Sequence, residues 1–300
     1  MKKWMAVMLA GMMTAASLGG CGSTGSTAET EAPAEETGTA ETDASDAASE
    51  DAAAEDSAAG ESDMAYVQEK GTLVVGITDF APMDYKDENG EWIGFDADMA
   101  KAFAESLGVE AEFVEIDWDN KILELDGKTI DCVWNGMTLT DEVTSSMACT
   151  DAYLNNAQVV VVPKDVADKY QDEDSLADLN FAVEAGSAGE AEVSARGLNY
   201  TAVTAQADAL MEVAGGTCDA AVIDSLMAAA MIGEGTSYAD LTYTISLNTE
   251  EYGVGFRQGS DLAEELNAFF DQSYEDGTMA ACAEQYGVQA ALVSADSAEE

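Results

Sequence analysis

The stretch Ile130 to Tyr153, IDCVWNGMTLTDEVTSSMACTDAY, decides the fold. Ile130 to Trp134 is a short apolar run that stops at Asn135-Gly136, a dipeptide that reads as a strand end. Thr138 to Glu142 then carries the Ser/Thr/Asp chemistry of a helix N-terminus. A buried strand ending in polar groups and free backbone N–H donors is where an open α/β sheet takes small ligands, just beyond its carboxyl edge. The spacing predicts a binding cleft here.

Outward from that stretch, strand and helix alternate. Thr72 to Ile77 and Glu110 to Ile116 predict strands. Gly94 to Leu107 predicts an amphipathic helix, with Phe95, Met99, Phe103 and Leu107 at i+4 steps before the stop at Gly108. Asn120 to Leu125 predicts a short helix, and Ile130 to Trp134 completes a βαβαβ unit. A second unit has the same grammar: strands at Gln158 to Val162, Phe181 to Glu184, Thr201 to Thr204 and Asp219 to Ile223, with helices at Ser187 to Arg196 and Ala205 to Ala214. Thr129-Ile130-Asp131 and Thr217-Cys218-Asp219 open corresponding strands, and the second ends at Asp224. Two such α/β lobes facing one another put both polar strand ends into one cleft. After Thr242 to Leu247, the strand Tyr252 to Phe256 and the helices Asp261 to Tyr274 and Thr278 to Tyr286 are assigned to the first sheet.

Composition sets the outer limits. The formal charge of −49, with 11 basic residues in the whole chain, excludes a nucleic-acid binder and argues against adsorption to an anionic membrane surface. The chain has no histidine, which removes His-based acid–base catalysis, Ser-His-Asp triads and His metal sites. At the N-terminus Lys2 and Lys3 form a basic region, Trp4 to Leu18 an apolar one, and Leu18-Gly19-Gly20 puts small residues before Cys21. This resembles a bacterial lipobox, with cleavage before Cys21 and lipid on its thiol; an uncleaved membrane anchor is the alternative, and the run is short for one. Gly22 to Asp63 is Ala, Glu, Asp, Ser, Thr and Gly with one Pro and no aromatic or basic residue, the composition of a disordered tether with a reach of about 35 Å. Solubility alone is a compatible role for it.

GTLVVGITDFAPMDYKDENGEWIGFDADMAKAFAESLGVEAEF, then DWDNK, IDCVWNGMTLTDE, EAGSAGE and CDAAVID together resemble the polar amino-acid-binding proteins of ABC importers, from about Lys70 to about Gly287. The resemblance implies a two-lobed α/β periplasmic-binding-protein-like fold with crossover strands near Thr150–Gln158 and Leu247–Val254, closing hinge-fashion on a small ligand. The organisation expected is a signal peptide over 1–20, a lipid-anchored linker over 21–63, a first lobe from 64–152 and 250–290, a second lobe from 153–249, and a disordered tail over 291–300. The implied partners are an amino acid or amine ligand, the permease subunits with their ATPase, and the membrane through the lipid, on the extracytoplasmic face. A monomer without cofactor, metal or enzymatic activity is implied; an enzyme or a sensory receptor on the same scaffold is the rival reading.

The family's contact positions fall on named residues. Phe80 and Trp118 match rings that pack on the ligand from two sides, although both also read as core aromatics. Asn135, Gly136 and Thr138 match first-lobe carbonyl and hydroxyl contacts, and Asp224 matches an acid that pairs with an ammonium, with a helix cap as its alternative. Ser187 and Gly189 lie in the loop Gly186-Ser187-Ala188-Gly189, at a helix N-terminus that favours an anion. Glu184 matches a position that reads the ligand's distal end, or is a solvated strand end, and Asp79 stands beside Phe80. Many relatives carry Arg where this chain has Val143, in Thr140-Asp141-Glu142-Val143, and so hold a carboxylate bidentately. Lys121 is the nearest basic residue by sequence, with an exposed surface position as its alternative. Glu184, Asp224 and Asp79 without that Arg make the expected pocket negative and its ligand cationic. Cys132, Cys149, Cys218 and Cys282 show no metal spacing; Cys132 and Cys149 form a disulfide or are buried thiols.

If Cys21 carries the lipid, Cys21→Ala moves the protein from the membrane to the soluble fraction on cell fractionation; unchanged membrane retention refutes the assignment.

Overall fold

The computed structural model describes residues 62–293. The expected signal peptide, Cys21, the linker up to residue 61 and the tail from 294 lie outside the described residues. The first half of the chain folds as α1 (Asp63–Lys70), β1 (Thr72–Ile77), β2 (Tyr85–Lys86), β3 (Trp92–Ile93), α2 (Phe95–Ser106), β4 (Glu110–Glu115), α3 (Lys121–Asp126), β5 (Cys132–Thr138), α4 (Asp141–Ser146), β6 (Ala148–Cys149) and β7 (Leu154–Asn156). Then come β8 (Gln158–Pro163), β9 (Asn180–Glu184), α5 (Ala188–Ala195), β10 (Asn199–Val203), α6 (Gln206–Ala214), β11 (Ala220–Asp224), α7 (Ser225–Met231) and β12 (Leu241–Ser246). The chain closes with β13 (Glu250–Phe256), α8 (Leu262–Asp276) and α9 (Thr278–Tyr286).

Two sheets result, one per lobe. The first has the order β4-β1-β5-β13-β6, with β7 paired to β13, and the second β10-β9-β11-β8-β12. In each, three neighbouring strands run parallel, β4-β1-β5 and β10-β9-β11, and the next strand, β13 in the first sheet and β8 in the second, joins them antiparallel. The central strands β5, β8 and β11 are buried on both faces, which explains their continuous apolar runs, while the edge strands β4 and β10 are partly exposed. In β8, Val159 and Val161 join the side covered by α6 and α7, while Val160 and Val162 join the side with Val193 of α5. In the first sheet, Leu73, Val75, Cys132 and Trp134 meet Phe103 of α2, Leu266 and Phe270 of α8 and Met279 of α9. The opposite face packs Val133 and Met137 on Leu125, Val143 and Met147. The C-terminal helices therefore cover the first sheet, as expected.

The chain crosses between sheets twice. Ala157 alone separates β7 of the first sheet from β8 of the second, and residues 247–249 carry it back from β12 to β13. The two crossings run side by side: Glu250 pairs with Asn156 and Glu251 with Asn155.

Four expectations change and one open alternative closes. The second lobe begins later than residue 153, because Leu154 to Asn156 pair with β13 in the first sheet. The strand expected to stop at Trp134 continues through Asn135-Gly136 to Thr138. Between its pairs Met137–Gly253 and Val133–Gly255, four steps of β5 face two of β13, so the Asn-Gly pair is a bulge within the strand and not a turn after it. The linker ends earlier than Asp63, because Ser62 caps α1 and Asp63 is buried. The tail begins later than 291: Leu292 bridges Leu154, and the Val293 N–H donates to the Tyr153 carbonyl at 3.1 Å. Finally, Cys132 and Cys149 are free thiols. They sit on β5 and β6 with β13 between them, about 9–10 Å apart at the usual strand spacing and beyond disulfide reach.

Asp63 is buried for a reason. Arg257, at the end of β13, pairs with Asp63 at 3.0 Å and Asp131 at 3.4 Å and donates to the Ile130 carbonyl at 2.8 Å, while Lys70 also pairs with Asp131. This network ties α1 to the base of the first sheet. Arg257→Ala leaves two buried carboxylates short of a partner and is expected to lower stability by about 3–5 kcal/mol in urea denaturation; a change within about 0.5 kcal/mol refutes the network's role.

Candidate functional site

The carboxyl ends of β5 and of β9 and β11 face each other across a cavity of about 230 Å³, just below the range of about 300–1,000 Å³ usual for drug-sized ligands and so suited to a smaller solute. Its first-lobe wall is Phe80, Trp118, Lys121, Asn135 to Val143, and its second-lobe wall Glu184, Gly186 to Ala188, Ala191, Gln206 and Asp224. Leu139 does not reach that wall. The cleft floor depends on the bulge. Gly136 sits at φ +53, and a Cβ there would stand 2.6 Å from the Phe80 ring, so only glycine lets the strand pass beneath that ring. Its N–H donates to Asp96 Oδ2 at 2.6 Å. The Asn135 side chain accepts from Thr78 N–H and Oγ1 at 3.0 and 2.7 Å and donates to the Thr78 carbonyl and Asp84 Oδ2 at 3.1 and 2.7 Å. With all four contacts made inside the lobe, Asn135 shapes the floor and offers a ligand only its backbone.

Thr138 directs its hydroxyl at Glu250 Oε1, 2.9 Å away. That oxygen also accepts from Asn156 Nδ2 at 2.7 Å and Gln158 Nε2 at 2.8 Å. The same two amides donate to Asp224 Oδ1, Gln158 at 2.8 Å, where the Tyr252 hydroxyl joins them at 2.8 Å. Asp224 Oδ2 accepts from Gln206 Nε2, and the Asp224 N–H donates to Gln206 Oε1 at 2.9 Å. Asp224 is therefore a fully buried carboxyl held by neutral donors. Burial, and then Glu250 nearby, push it up to about 7.

Glu184, 2% exposed at the end of β9, stands beside it. Burial, followed by the charge of Asp224, pushes Glu184 up to about 8, and its Oε1 has no hydrogen-bond partner. A buried carboxyl with an open acceptor costs free energy until something donates to it. Glu184 thus lies in the cleft and is not a solvated strand end.

Of the other expected residues, Phe80, Trp118 and Ser187 also line the cavity. The Ser187 hydroxyl caps α5 through the Glu190 N–H at 3.1 Å. Asp79 does not line it. Thr78 and Phe80 face inward, so the residue between them points out, into a separate groove with Glu115 and Asp117. Gly189 is also displaced from the ligand wall. A Cβ there would stand 3.0 Å from Gln158 Oε1 and 3.1 Å from the Val222 carbonyl, so it lets α5 sit down on the sheet, and Ala188 and Gly186 face the cavity instead. At the loop before the helix expected to favour an anion, the Gly186 N–H donates to Glu190 Oε2 at 2.7 Å, so a carboxylate of α5 itself stands beside that loop.

Lys121, an exposed surface residue on one reading of the sequence, is 7% exposed and in the cavity wall. Its Nζ donates to the Gly186 carbonyl at 2.9 Å, joining the lobes, and to the Trp118 carbonyl at 3.3 Å. Gly186 itself, at φ +70, comes so near that a Cβ would lie 2.7 Å from the Asp119 Cα. Gln206, Asn156, Gln158, Tyr252 and Glu250 are further residues of the site that the sequence reading missed. Asn156 and Gln158 flank Ala157 at the crossing, an i, i+2 pair of amides that extended backbone places on one face.

A model of the bacterial extracellular solute-binding proteins, family 3, matches residues 73–289. The chain belongs to this family. Among its relatives, the L-cystine-binding protein TcyJ of Escherichia coli K12 is 26% identical over 224 residues, covering 73% of this chain and 84% of that protein. The arginine-binding extracellular protein ArtP of Bacillus subtilis is 28% identical over 232 residues, covering 73% and 88%. The solved structure of the arginine-bound form of truncated ArgBP from T. maritima is 35% identical, with a TM-score of 0.65, covering 69% of this chain and 99% of that one. The two-lobed fold expected from the sequence is the fold of these relatives. No helix among the described residues is long and apolar enough to cross a membrane.

The raised carboxyls set a pH dependence. Glu184, at about 8, and Asp224 and Asp96, both at about 7, hold protons in the folded protein that the unfolded chain has released by about pH 5. The unfolded state then binds fewer protons, so the ligand-free protein loses stability as pH rises from about 5 to 8. Glu184→Gln, which cannot ionise, is expected to make that decline shallower in denaturation curves taken across the range; equal slopes refute the buried titration of Glu184.

Proposed function

We propose that this protein is the ligand-capturing component of an ABC importer, binding a polar amino acid or related amine with net positive charge between its lobes. The observation that carries the ligand class is Glu184: a buried carboxyl with an unpartnered oxygen, beside the buried Asp224, in the wall of the cleft. An ammonium or guanidinium from the ligand gives that oxygen a charge-assisted donor and favours the ionised form of both acids. An anionic ligand can only keep both acids protonated and gains no charge-assisted partner on this wall. The naming of relatives after arginine supports this reading, and the cystine-binding relative marks the width of the class.

Binding without chemistry is the proposed mode of action. Asp224 is held by four side chains and the chain has no histidine for proton transfer. Closure of the lobes presents the loaded cleft to permease subunits, and a lipid on Cys21 with an acidic tether holds the receptor on the extracytoplasmic face.

Calorimetric titration with lysine, arginine, ornithine, diamines, glutamate and aspartate tests the ligand class. The cationic compounds are expected to bind and to raise the melting temperature, because a ligand of the native state adds RT ln(1 + [L]/Kd) to stability. Tight binding of glutamate or aspartate, with no response to the cations, overturns the reading.

A further inference from the structure

Among the described residues lining the cleft, Lys121 alone carries a positive charge. An ammonium has three N–H donors, and the acceptors Lys121 meets are the neutral carbonyls of Gly186 and Trp118. Its Nζ also stands 5.1 Å over the Trp118 ring. No carboxylate among the described residues lies within 4.0 Å of it. Burial lowers its pKa despite Glu142, Glu184, Asp119 and Glu190 in its surroundings. It is a buried charge with one donor left and no counter-ion. Such a charge is costly unless an anion meets it.

The rest of the cavity sends an anion to the same place. Glu184 and Asp224 put acids, protonated or ionised, on the second-lobe wall, and the Glu190 carboxylate lies at the loop before α5. Val143 and Met137, in the first-lobe wall with Lys121, are apolar.

We propose that Lys121 binds the ligand's carboxylate, while its bond to the Gly186 carbonyl ties that contact to closure of the lobes. The role rests on the amino-acid reading above and deepens it: the cleft takes a zwitterion with an extra positive charge, carboxylate on Lys121 and cationic end on Glu184 and Asp224. A simple amine satisfies only the acidic wall. Lys121 is thus the residue that separates amino acids from amines.

The full chain, as wild type, Lys121→Met and Lys121→Arg, is titrated with three pairs: arginine and agmatine, lysine and cadaverine, ornithine and putrescine. Lys121→Met keeps the buried stem and removes the charge. It is expected to lose about tenfold to a hundredfold in affinity for the amino acids and little for the amines, the magnitude of a charged hydrogen bond. Lys121→Arg restores part of the loss. Wild-type affinity of Lys121→Met for the amino acids overturns the role, and so does an equal loss for both members of each pair, which marks packing alone. Melting curves of the ligand-free variants identify a folding defect, and Lys121→Gln then repeats the test. A wild-type protein that binds none of the six compounds overturns the ligand class itself, an outcome distinct from the others because it precedes any variant.

Discussion

Asp224 and Glu250 share the amide donors of Asn156 and Gln158 at the point where the chain passes twice between its sheets. The two crossings are short, and each carries backbone from one sheet into the other, so their polar side chains have nowhere to go but the seam. Buried amides need acceptors, and buried carboxyls need donors. Each set satisfies the other. The consequence is that Asp224 is oriented by residues of both crossings, and Thr138 at the end of β5 is drawn to the same seam through Glu250. A hinge that changed its angle would have to rearrange these bonds together, which makes the seam the element on which both the cleft's shape and its chemistry depend.

Buried charge at the two ends of the first sheet is handled in opposite ways. At its base, Arg257 and Lys70 face Asp63 and Asp131, and every charge has a partner within an ion-pair distance. At its carboxyl end, Lys121 has only carbonyl acceptors, and across the cavity Glu184 keeps an oxygen without a donor. The first arrangement stabilises the fold. The second holds unsatisfied groups on rigid elements, where a ligand that completes them gains what the empty cleft forgoes.

Much of the architecture was legible from periodicity. Both βαβ units and the late return of the chain to the first sheet followed from apolar runs and turn residues, since a parallel sheet buried on both faces writes itself as unbroken Val, Ile and Ala. Local signals failed where tertiary contact overrode them. Asn135-Gly136 reads as a strand end because that pair favours a turn, yet Thr78, Asp84 and Asp96 hold it as a bulge inside a strand. Asp63 belonged by composition to an acidic linker, and an arginine 194 positions away in sequence recruits it to the fold. Asp79 and Gly189 matched the motif by position but face away from the cavity, because strand alternation and helix seating fix direction in ways that position alone does not.

The sequence by itself determined the class of this protein: two α/β lobes, a cleft between polar strand ends, and an excess of acid in the cleft wall. These depend on patterns repeated over many residues, where one misplaced side chain changes nothing. Only the tertiary structure decided which groups remain unsatisfied in that cleft. Glu184 is exposed or buried, and Lys121 solvated or enclosed, according to what the other lobe places against it. A Gly186 carbonyl 65 residues away from Lys121 is what brings that ammonium into the site. Burial and pairing of a charge are properties of distant neighbours, and distance along the chain does not record them.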